Sequence, residues 1–257
     1  MPPKEDSSTI EPDLHIFKDK DSLAAAAAAL FSAAVLEAIA LRGKFLVALS
    51  GGSTPQTLFT LLAQSPYQTQ IPWPAVHVFW GDERLVPPDD PGSNYYHAQQ
   101  LLLDKVPIPH SQIHRMRGEL TALNAVEDYE RQLKSAAEDR AAWPRFDLAL
   151  MGMGADGHTA SLFPRSNALM ENTKPVLSFT ADYAGRPAQR ITLTPPVFND
   201  ARRVLFLIAG EDKATALDAV INGPLDVQNW PAQSIQPISK GLTYFVDRAA
   251  ASHLKAN

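Results

Sequence analysis

Short apolar runs that alternate with helical stretches most constrain the fold of this 257-residue chain. The apolar runs cover residues 44–49, 76–80, 146–151, 203–209 and 243–246, and the helical stretches between them include 95–104, 122–140 and 212–221. Strands that alternate with helices are typical of parallel sheets, because each crossover between parallel strands carries a helix. The order therefore predicts an α/β fold with a mainly parallel sheet and helices on both faces.

An Ala-rich segment precedes the first apolar run. Leu23–Leu41 spans 19 mostly apolar residues, and Asp21-Ser22 before it is a typical helix start. The leader is acidic rather than basic, which argues against a signal peptide, and the high Ala content argues against a membrane span. We predict a closely packed helix here, a loose tail over residues 1–12, where three prolines occur, and a single α/β domain over 13–257.

Composition argues against several classes of function. The net charge of −5 offers no overall attraction to nucleic acid or to a membrane surface, so we expect neither as a partner. The absence of cysteine rules out disulfides and thiolate metal sites and fits a reducing compartment, so a cytoplasmic protein is expected. The seven histidines show no metal-ligand spacing, and no metal is expected.

The loop after the run 146–151 concentrates reactive groups. Gly152–Pro164 reads GMGADGHTASLFP. His158 can move protons near neutral pH, and Asp156 lies two residues before it. A strand that ends in glycines followed by reactive groups is typical of a site at the carboxyl edge of a sheet. From the local sequence alone, the imidazole could instead close the glycine turn by bonding to backbone.

The same loop matches the dinucleotide-binding pattern G-x-G-x-x-G through Gly152, Gly154 and Gly157. That pattern needs a following helix and bare N–H groups for a pyrophosphate. Pro164 interrupts any long helix, and side chains such as His158 occupy the turn itself. We therefore expect no nicotinamide or flavin cofactor.

A second glycine loop is suited to an anion. It follows the run 44–49 directly, and a helical stretch begins at its end. The loop consists of Ser50, Gly51, Gly52, Ser53 and Thr54. Two glycines, hydroxyl groups and a helix N-terminus together form a natural seat for a phosphate. The alternative is an ordinary turn in which Ser53 or Thr54 caps the helix.

Two further strand ends carry charged residues. Arg84, after the run 76–80, suits bidentate recognition of phosphate, and Asp82 could accept sugar hydroxyls or pair with Arg84. Lys213 lies in the first turn of a predicted helix, where the helix dipole disfavours a cation, so a nearby anion would explain its position. The alternatives are a structural ion pair at Asp82 and a solvent-exposed Lys213.

Five segments in this order resemble the glucosamine-6-phosphate isomerase/6-phosphogluconolactonase family. They are Ser50–Pro55, Phe79–Arg84, Gly152–Pro164, Arg190–Pro196 and Gly210–Lys213. The resemblance spans about Phe17 to Val246 and implies a Rossmann-like fold similar to that of the glucosamine-6-phosphate deaminases. Those deaminases typically carry a tyrosine where this chain has Arg84, and a glutamate where it has the apolar Leu162-Phe163. Both differences favour the lactonase members of the family.

The resemblance implies hydrolysis of 6-phosphogluconolactone to 6-phosphogluconate, a step of the oxidative pentose phosphate pathway. His158 would be the general base that activates water, and Asp156 would hold its imidazole in the useful tautomer. Backbone N–H groups of Gly152, Gly154 and Gly157 would face the oxyanion of the tetrahedral intermediate.

The phosphate of the substrate would lie on the Ser50–Thr54 loop, Arg84 and Lys213. Arg190 is a further candidate for this contact, and Arg186 competes with it. The chemistry requires no metal and no organic cofactor. We expect a monomer whose partner is the small sugar-phosphate substrate.

Two alternatives belong to other functional classes. A sugar-phosphate isomerase or deaminase would need a base for a carbon-bound proton and usually a second acid, and the apolar Phe163 argues against it. A non-catalytic sugar-phosphate sensor of a bacterial regulator would carry a DNA-binding helix-turn-helix. The 43 residues before the first apolar run hold one Ala-rich helix and no basic recognition helix, which argues against the sensor.

Overall fold

Seven strands form one sheet in the computed structural model, which describes residues 13–138, 141–181, 185 and 187–254. In spatial order the strands are β1 (Asp13–Phe17), β10 (Leu242–Asp247), β9 (Val204–Ile208), β6 (Leu148–Met151), β2 (Phe45–Leu49), β3 (Val76–Trp80) and β5 (Ile113–His114). Every neighbouring pair is parallel, so the predicted parallel sheet is confirmed. The predicted tail over residues 1–12 and the candidate Arg186 lie outside the described residues.

Each helix predicted from the sequence is present. The helices of the described residues are α1 (Lys20–Arg42), α2 (Ser53–Leu62), α3 (Tyr67–Gln70), α4 (Asn94–Leu101), α5 (Ala122–Ala136), α6 (Pro195–Asn199) and α7 (Ala214–Asn222). Some boundaries differ from the prediction. α5 ends at Ala136 rather than at 140, and α7 is preceded by a 3₁₀ turn over Glu211–Lys213.

α1 starts earlier than predicted because its capping residue is Asp19. The Asp19 carboxylate accepts the backbone N–H of Ser22 over 2.9 Å, and the Ser22 hydroxyl accepts the N–H of Asp19 over 3.1 Å. The helix ends at Gly43, which has φ 74°. By length and composition α1 could cross a membrane, but one of its faces is buried and Phe31 packs edge-on against Phe45 of β2.

Three strands form a second, antiparallel sheet that the sequence analysis missed. Its order is β4 (Asp82–Arg84), β8 (Gln189–Leu193) and β7 (Val176–Thr180). The sequence predicted no strand over residues 82–84, which follow the apolar run 76–80. They form a strand instead because β8 pairs with them in register, with Arg84 opposite Arg190. This small sheet lies next to the end of β3, since the Leu193 N–H donates to the Gly81 carbonyl oxygen over 2.8 Å.

The centre of the large sheet is the hydrophobic core. Every residue of β2, β6 and β9 is buried, as expected for parallel strands covered on both faces. Truncation of a buried phenylalanine such as Phe45 would cost about 3–5 kcal/mol. Because the sheet is parallel, the central strands all end at one edge, and the loops that follow them lie side by side.

Candidate active site

A cleft lies at the carboxyl edge of β9, β6, β2 and β3, where parallel α/β sheets typically bind ligands. Its volume is about 150 Å³. The predicted site residues that line it are Ser50, Gly51, Gly52, Ser53, Thr54, Asp82, Arg84, Gly152, Gly154, His158, Arg190 and Lys213. Two other predicted residues, Asp156 and Gly157, are outside this lining. The fold thus brings together residues that are widely separated in the sequence.

His158 and Asp156 form a hydrogen-bonded pair. The imidazole Nδ1 lies 2.6 Å from Asp156 Oδ1, and the backbone N–H of His158 donates to the same oxygen over 3.2 Å. Partial burial alone would raise the pKa of Asp156, but the hydrogen bond and the charge of His158 outweigh it, so the pKa lies below the ordinary 3.8. An ionised Asp156 can accept a proton from Nδ1, which leaves Nε2 as the imidazole nitrogen that can exchange a proton with a ligand.

Backbone hydrogen bonds close the glycine turn. The Gly154 N–H donates to the His158 carbonyl oxygen over 2.8 Å, and the Gly157 N–H donates to the Gly154 carbonyl oxygen over 3.0 Å. Both N–H groups are engaged inside the turn, so the prediction that they face an oxyanion is wrong. Gly152, at the end of β6, stays a candidate for that contact.

The glycines of this turn make room for other side chains. A Cβ atom on Gly154 would lie 2.0 Å from His158 Nδ1 and 2.5 Å from Asp156 Oδ1. Gly157 has φ 76°, and its Cβ would lie 2.7 Å from Trp230 Cε3. The G-x-G-x-x-G pattern therefore serves the packing of the His158–Asp156 pair and of Trp230.

Phe163 forms an apolar wall beside the imidazole. Its ring centroid lies 4.6 Å from that of His158, and only 8% of the residue is exposed. The Arg190 guanidinium lies 5.6 Å from the centre of the same ring. The position where the deaminases were expected to place an acid is thus occupied by an aromatic side chain that contacts the candidate base.

The Ser50 loop leads into an open helix N-terminus. α2 begins at Ser53 after the N-cap Gly52, which has φ 104°, and no side chain of the described residues caps the helix. The alternative in which Ser53 or Thr54 caps α2 is therefore wrong. The N–H groups of the first turn carry the positive end of the helix dipole, and they lie at the cleft. This arrangement suits a bound anion.

Two arginines lie opposite each other across β4 and β8. Arg84 is 8% exposed and Arg190 is 3% exposed. Arg84 Nη1 donates to the Gly92 carbonyl oxygen, and no carboxylate of the described residues lies within 4 Å of its guanidinium. Arg84 therefore has no ion-pair partner among the described residues, which suits recognition of an anion.

Lys213 adds a third cation to the cleft. It is the N-cap of α7, and its Nζ lies 2.8 Å from the Asp212 carboxylate. The Asp212 side chain is 65% exposed, so this ion pair contributes at most about 1 kcal/mol. A bound phosphate could therefore replace Asp212 as the partner of Lys213 at little cost.

Asp82 forms a buried polar cluster with two residues that the sequence analysis missed. The Ser161 hydroxyl donates to Asp82 Oδ2 over 2.6 Å, and Asn94 Nδ2 lies 3.2 Å from Oδ1. The expected alternative, an ion pair between Asp82 and Arg84, is not observed among the described residues. Asparagine is common at a helix start and serine is common in loops. The sequence therefore does not mark Asn94 or Ser161 as part of a site.

Glu83 fixes the start of α4 beside the cleft. Its carboxylate accepts the backbone N–H groups of Arg84, Asn94 and Tyr95 and the hydroxyl of Ser93, over 2.7–3.0 Å. Burial raises the pKa of Glu83 to about 7, although the three N–H groups and Arg84 favour the charged form. Glu83 does not line the cleft, so we assign it a positioning role.

Comparison with known proteins agrees with this geometry. A sequence profile described as glucosamine-6-phosphate isomerases/6-phosphogluconolactonase matches residues 18–244, most of the chain. The chain belongs to the glucosamine-6-phosphate isomerase/6-phosphogluconolactonase family. The resemblance identified from the five motifs is thereby confirmed.

Relatives in this family match nearly the whole chain. A 6-phosphogluconolactonase from Synechocystis sp. is 39% identical over 248 residues, which are 95% of this chain and 99% of the relative. The 6-phosphogluconolactonase of Trypanosoma brucei, 27% identical, has a TM-score of 0.86 over 96% of this chain and 100% of its own. A monomeric glucosamine-6-phosphate deaminase, 18% identical with a TM-score of 0.79 over 94% of this chain and 99% of its own, shares the fold.

Proposed function

We propose that this protein hydrolyses 6-phosphogluconolactone to 6-phosphogluconate, as a step of the oxidative pentose phosphate pathway. The observation that carries the proposal is the cleft itself, which is lined by His158, two buried arginines and an open helix N-terminus, with Asp156 bonded to the imidazole. The His158 side of the cleft suits proton transfer, and the side with the arginines and the helix N-terminus suits a phosphate. The family membership and the relatives named 6-phosphogluconolactonase support the same conclusion.

In the proposed mechanism, His158 Nε2 takes a proton from a water molecule as the water oxygen attacks the lactone carbonyl carbon. The ionised Asp156 stabilises the imidazolium that forms. The tetrahedral intermediate carries a negative oxygen, and the Gly152 N–H is the donor that we assign to it. When the bond from this carbon to the ring oxygen breaks, the imidazolium returns its proton to the ring oxygen. The product is the open-chain acid.

The phosphate is proposed to lie among Arg84, Arg190 and Lys213, with the Ser50–Thr54 loop and the first turn of α2 donating N–H groups. The three cations explain how a protein with a net charge of −5 attracts an anionic substrate locally. Asp82 is proposed to accept hydrogen bonds from sugar hydroxyls. Arg186, the alternative to Arg190, lies outside the described residues.

The deaminase alternative lacks support from the cleft. Such an enzyme needs a second acid near the base, and here Phe163 lies against the His158 ring. A lactone is an activated ester, so a positioned base and an oxyanion donor are sufficient for its hydrolysis. We therefore propose a reaction without a metal or organic cofactor.

We further propose a cytoplasmic monomer in which residues 13–257 form one domain. The pairing of β1, near one end of the chain, with β10, near the other end, supports the single domain. Size-exclusion chromatography with light scattering tests the monomer: a mass near 28.0 kDa is expected, and twice that mass would contradict it.

The activity is tested with freshly prepared 6-phosphogluconolactone, by following acid release after subtraction of spontaneous hydrolysis. Unphosphorylated gluconolactone is the control. We expect hydrolysis well above the spontaneous rate and a preference of about 10-fold or more for the phosphorylated lactone, since one charge-assisted contact contributes about 1.5–3 kcal/mol. A rate no higher than the spontaneous one would contradict the proposal. Ammonia release from glucosamine 6-phosphate at a comparable rate would instead support the deaminase.

A further inference from the structure

We propose that the buried carboxylate of Asp247 is a positioning residue for phosphate binding, because it holds the loop that carries Lys213 into the cleft. The inference rests on the proposed function, in which Lys213 is a partner of the substrate phosphate. Asp247 is the last residue of β10, and only 7% of it is exposed. It does not line the cleft, so it can act on the substrate only through other residues.

The Asp247 carboxylate joins the loops that follow two neighbouring strands. β9 and β10 pair as parallel strands up to Ile208 and Val246, where the ladder ends. One residue further on, the carboxylate accepts the backbone N–H of Gly210 with both oxygens, over 3.1 Å to Oδ1 and 3.2 Å to Oδ2. Oδ1 also accepts the N–H of Ala250 over 2.7 Å, in the turn that follows β10. The side chain therefore extends the contact between the two strands beyond the sheet.

Gly210 connects Asp247 to the wall of the cleft. The preceding residue, Ala209, and Lys213 both line the cleft. The Gly210 carbonyl oxygen accepts the Lys213 N–H over 3.1 Å, and this bond closes the 3₁₀ turn before α7. The Gly210 N–H has no acceptor other than Asp247 among the described residues. A displaced Gly210 would therefore displace the backbone from which the Lys213 side chain starts.

The partners of Asp247 indicate a role in holding main chain rather than in neutralising a cation. No lysine, arginine or histidine of the described residues lies within 4 Å of its carboxylate. Its partners among those residues are backbone N–H groups, which satisfy a buried carboxylate without an opposite charge. Loss of these bonds should loosen the Lys213 loop, and so weaken phosphate binding more than it slows hydrolysis.

The test separates the bond to Gly210 from the bond to Ala250. Asp247→Ser removes the first and retains the second, because a serine hydroxyl can accept an N–H three residues on but is too short to reach the neighbouring loop. Asp247→Asn is the conservative variant, since its amide oxygen can accept both N–H groups. Asp147→Ser is the matched control. Asp147 is also buried and accepts the N–H of Leu46 over 2.9 Å, but it precedes β6 at the opposite edge of the sheet from the cleft.

Titration calorimetry gives the affinity for 6-phosphogluconate, the lactone assay gives kcat and KM, and urea unfolding gives stability. Asp247→Ser should raise Kd and KM by about 3–10-fold, as expected for the loss of one hydrogen bond, with little change in kcat. Asp247→Asn should bind nearly as tightly as the wild type, and Asp147→Ser should lose stability without a change in Kd. If Asp247→Ser does not fold, Asp247→Thr replaces it, since threonine also caps a turn and is favoured in strands.

A double-mutant cycle with Lys213→Ala connects the effect to the lysine. Lys213→Ala should raise Kd by about 10-fold or more, because a charge-assisted contact is lost. If Asp247 acts by placing Lys213, the addition of Asp247→Ser to this variant should raise Kd no further.

An undiminished loss of affinity in the Lys213→Ala background, or a fall in stability with an unchanged Kd, would show that Asp247 only stabilises the fold. An equal loss in Asp247→Asn and Asp247→Ser would show that its charge matters rather than its hydrogen bonds. Each of these results would overturn the inference, while lactone hydrolysis by the wild type would still stand. A wild type that neither hydrolyses the lactone nor binds 6-phosphogluconate would overturn the proposed function and this inference together.

Discussion

Two glycine-rich loops follow neighbouring strands of the sheet, and they use their glycines differently. The loop Ser50–Thr54 after β2 leads into α2, whose first turn has no side-chain cap among the described residues. A Cβ atom on Gly52 would meet no atom within 4 Å, so the residue is glycine for its φ of 104°. The loop 152–158 after β6 engages the N–H groups of Gly154 and Gly157 in its own turn, and Gly154 leaves space for the imidazole.

The two loops have a similar glycine content, but their hydrogen bonding suits two different tasks, phosphate binding and proton transfer. In our proposal the first loop presents backbone N–H groups to the phosphate, and the second presents the side chain of His158 to the lactone. The predictions below test whether binding of the phosphate and hydrolysis of the lactone can be separated in the same way.

The largest effect is expected for His158→Ala. Loss of the general base should lower kcat by about 10²–10⁴-fold, with little change in affinity for 6-phosphogluconate, since the phosphate contacts stay intact. Steady-state kinetics give kcat, and calorimetry gives the affinity. Retention of more than about a third of wild-type kcat would remove His158 from the mechanism.

Gly154→Ala should act through His158. Its Cβ atom would lie 2.0 Å from Nδ1, so the ring must move, and a displacement of about 1 Å can lower kcat about 10²-fold. A double-mutant cycle provides the control: in the His158→Ala background, Gly154→Ala should have no further effect on kcat. An undiminished, additive loss in that background would show that Gly154 has a role of its own.

Arg84→Ala should affect binding rather than chemistry. Loss of one charge-assisted contact should raise KM and the Kd for 6-phosphogluconate by about 10–100-fold, with a smaller change in kcat. Arg203→Ala is the matched control, because Arg203 is paired with Glu37 on an exposed surface outside the cleft. Equal affinities of the two variants would place the phosphate away from Arg84.

The smallest effect concerns the stability of the second loop in acid. The pKa of Asp156 is lower in the folded protein than its ordinary 3.8, so its ionised form stabilises the fold above about pH 4. That contribution should be lost as the pH falls through the lowered pKa. Since the side chain is about one-third exposed, we expect less than about 1 kcal/mol. Urea unfolding of the wild type and Asp156→Asn between pH 5 and 3 measures it, and parallel curves would contradict the assignment.

The sequence predicted the centre of the fold better than its periphery. β2, β6 and β9 are buried on both faces and therefore read as continuous apolar runs. β5 has only two residues, and β4 is the charged Asp-Glu-Arg segment, which forms a strand because β8 lies beside it. Such a strand is determined by tertiary pairing, and no local pattern indicates it.

Candidate site residues could be named where a residue type at a strand end suggests a particular chemistry. His158, Arg84 and the Ser50 loop were named in this way, and the fold places them in one cleft. The roles of Gly154 and Gly157 were misjudged because glycine content does not reveal whether an N–H is already bonded. Asn94 was missed because its contact with Asp82 arises only when the fold brings α4 beside β4.

The most direct test is the ratio of kcat/KM for 6-phosphogluconolactone to kcat/KM for unphosphorylated gluconolactone, measured in the wild type, His158→Ala and Arg84→Ala. If His158 of the loop 152–158 is the base for hydrolysis and the arginine side of the cleft binds the phosphate, His158→Ala lowers kcat/KM for both lactones and preserves their ratio. Arg84→Ala should instead lower the ratio about 10-fold or more by weakening only the phosphorylated substrate. A ratio that falls in His158→Ala, or one that is unchanged in Arg84→Ala, would contradict the separation of the two tasks.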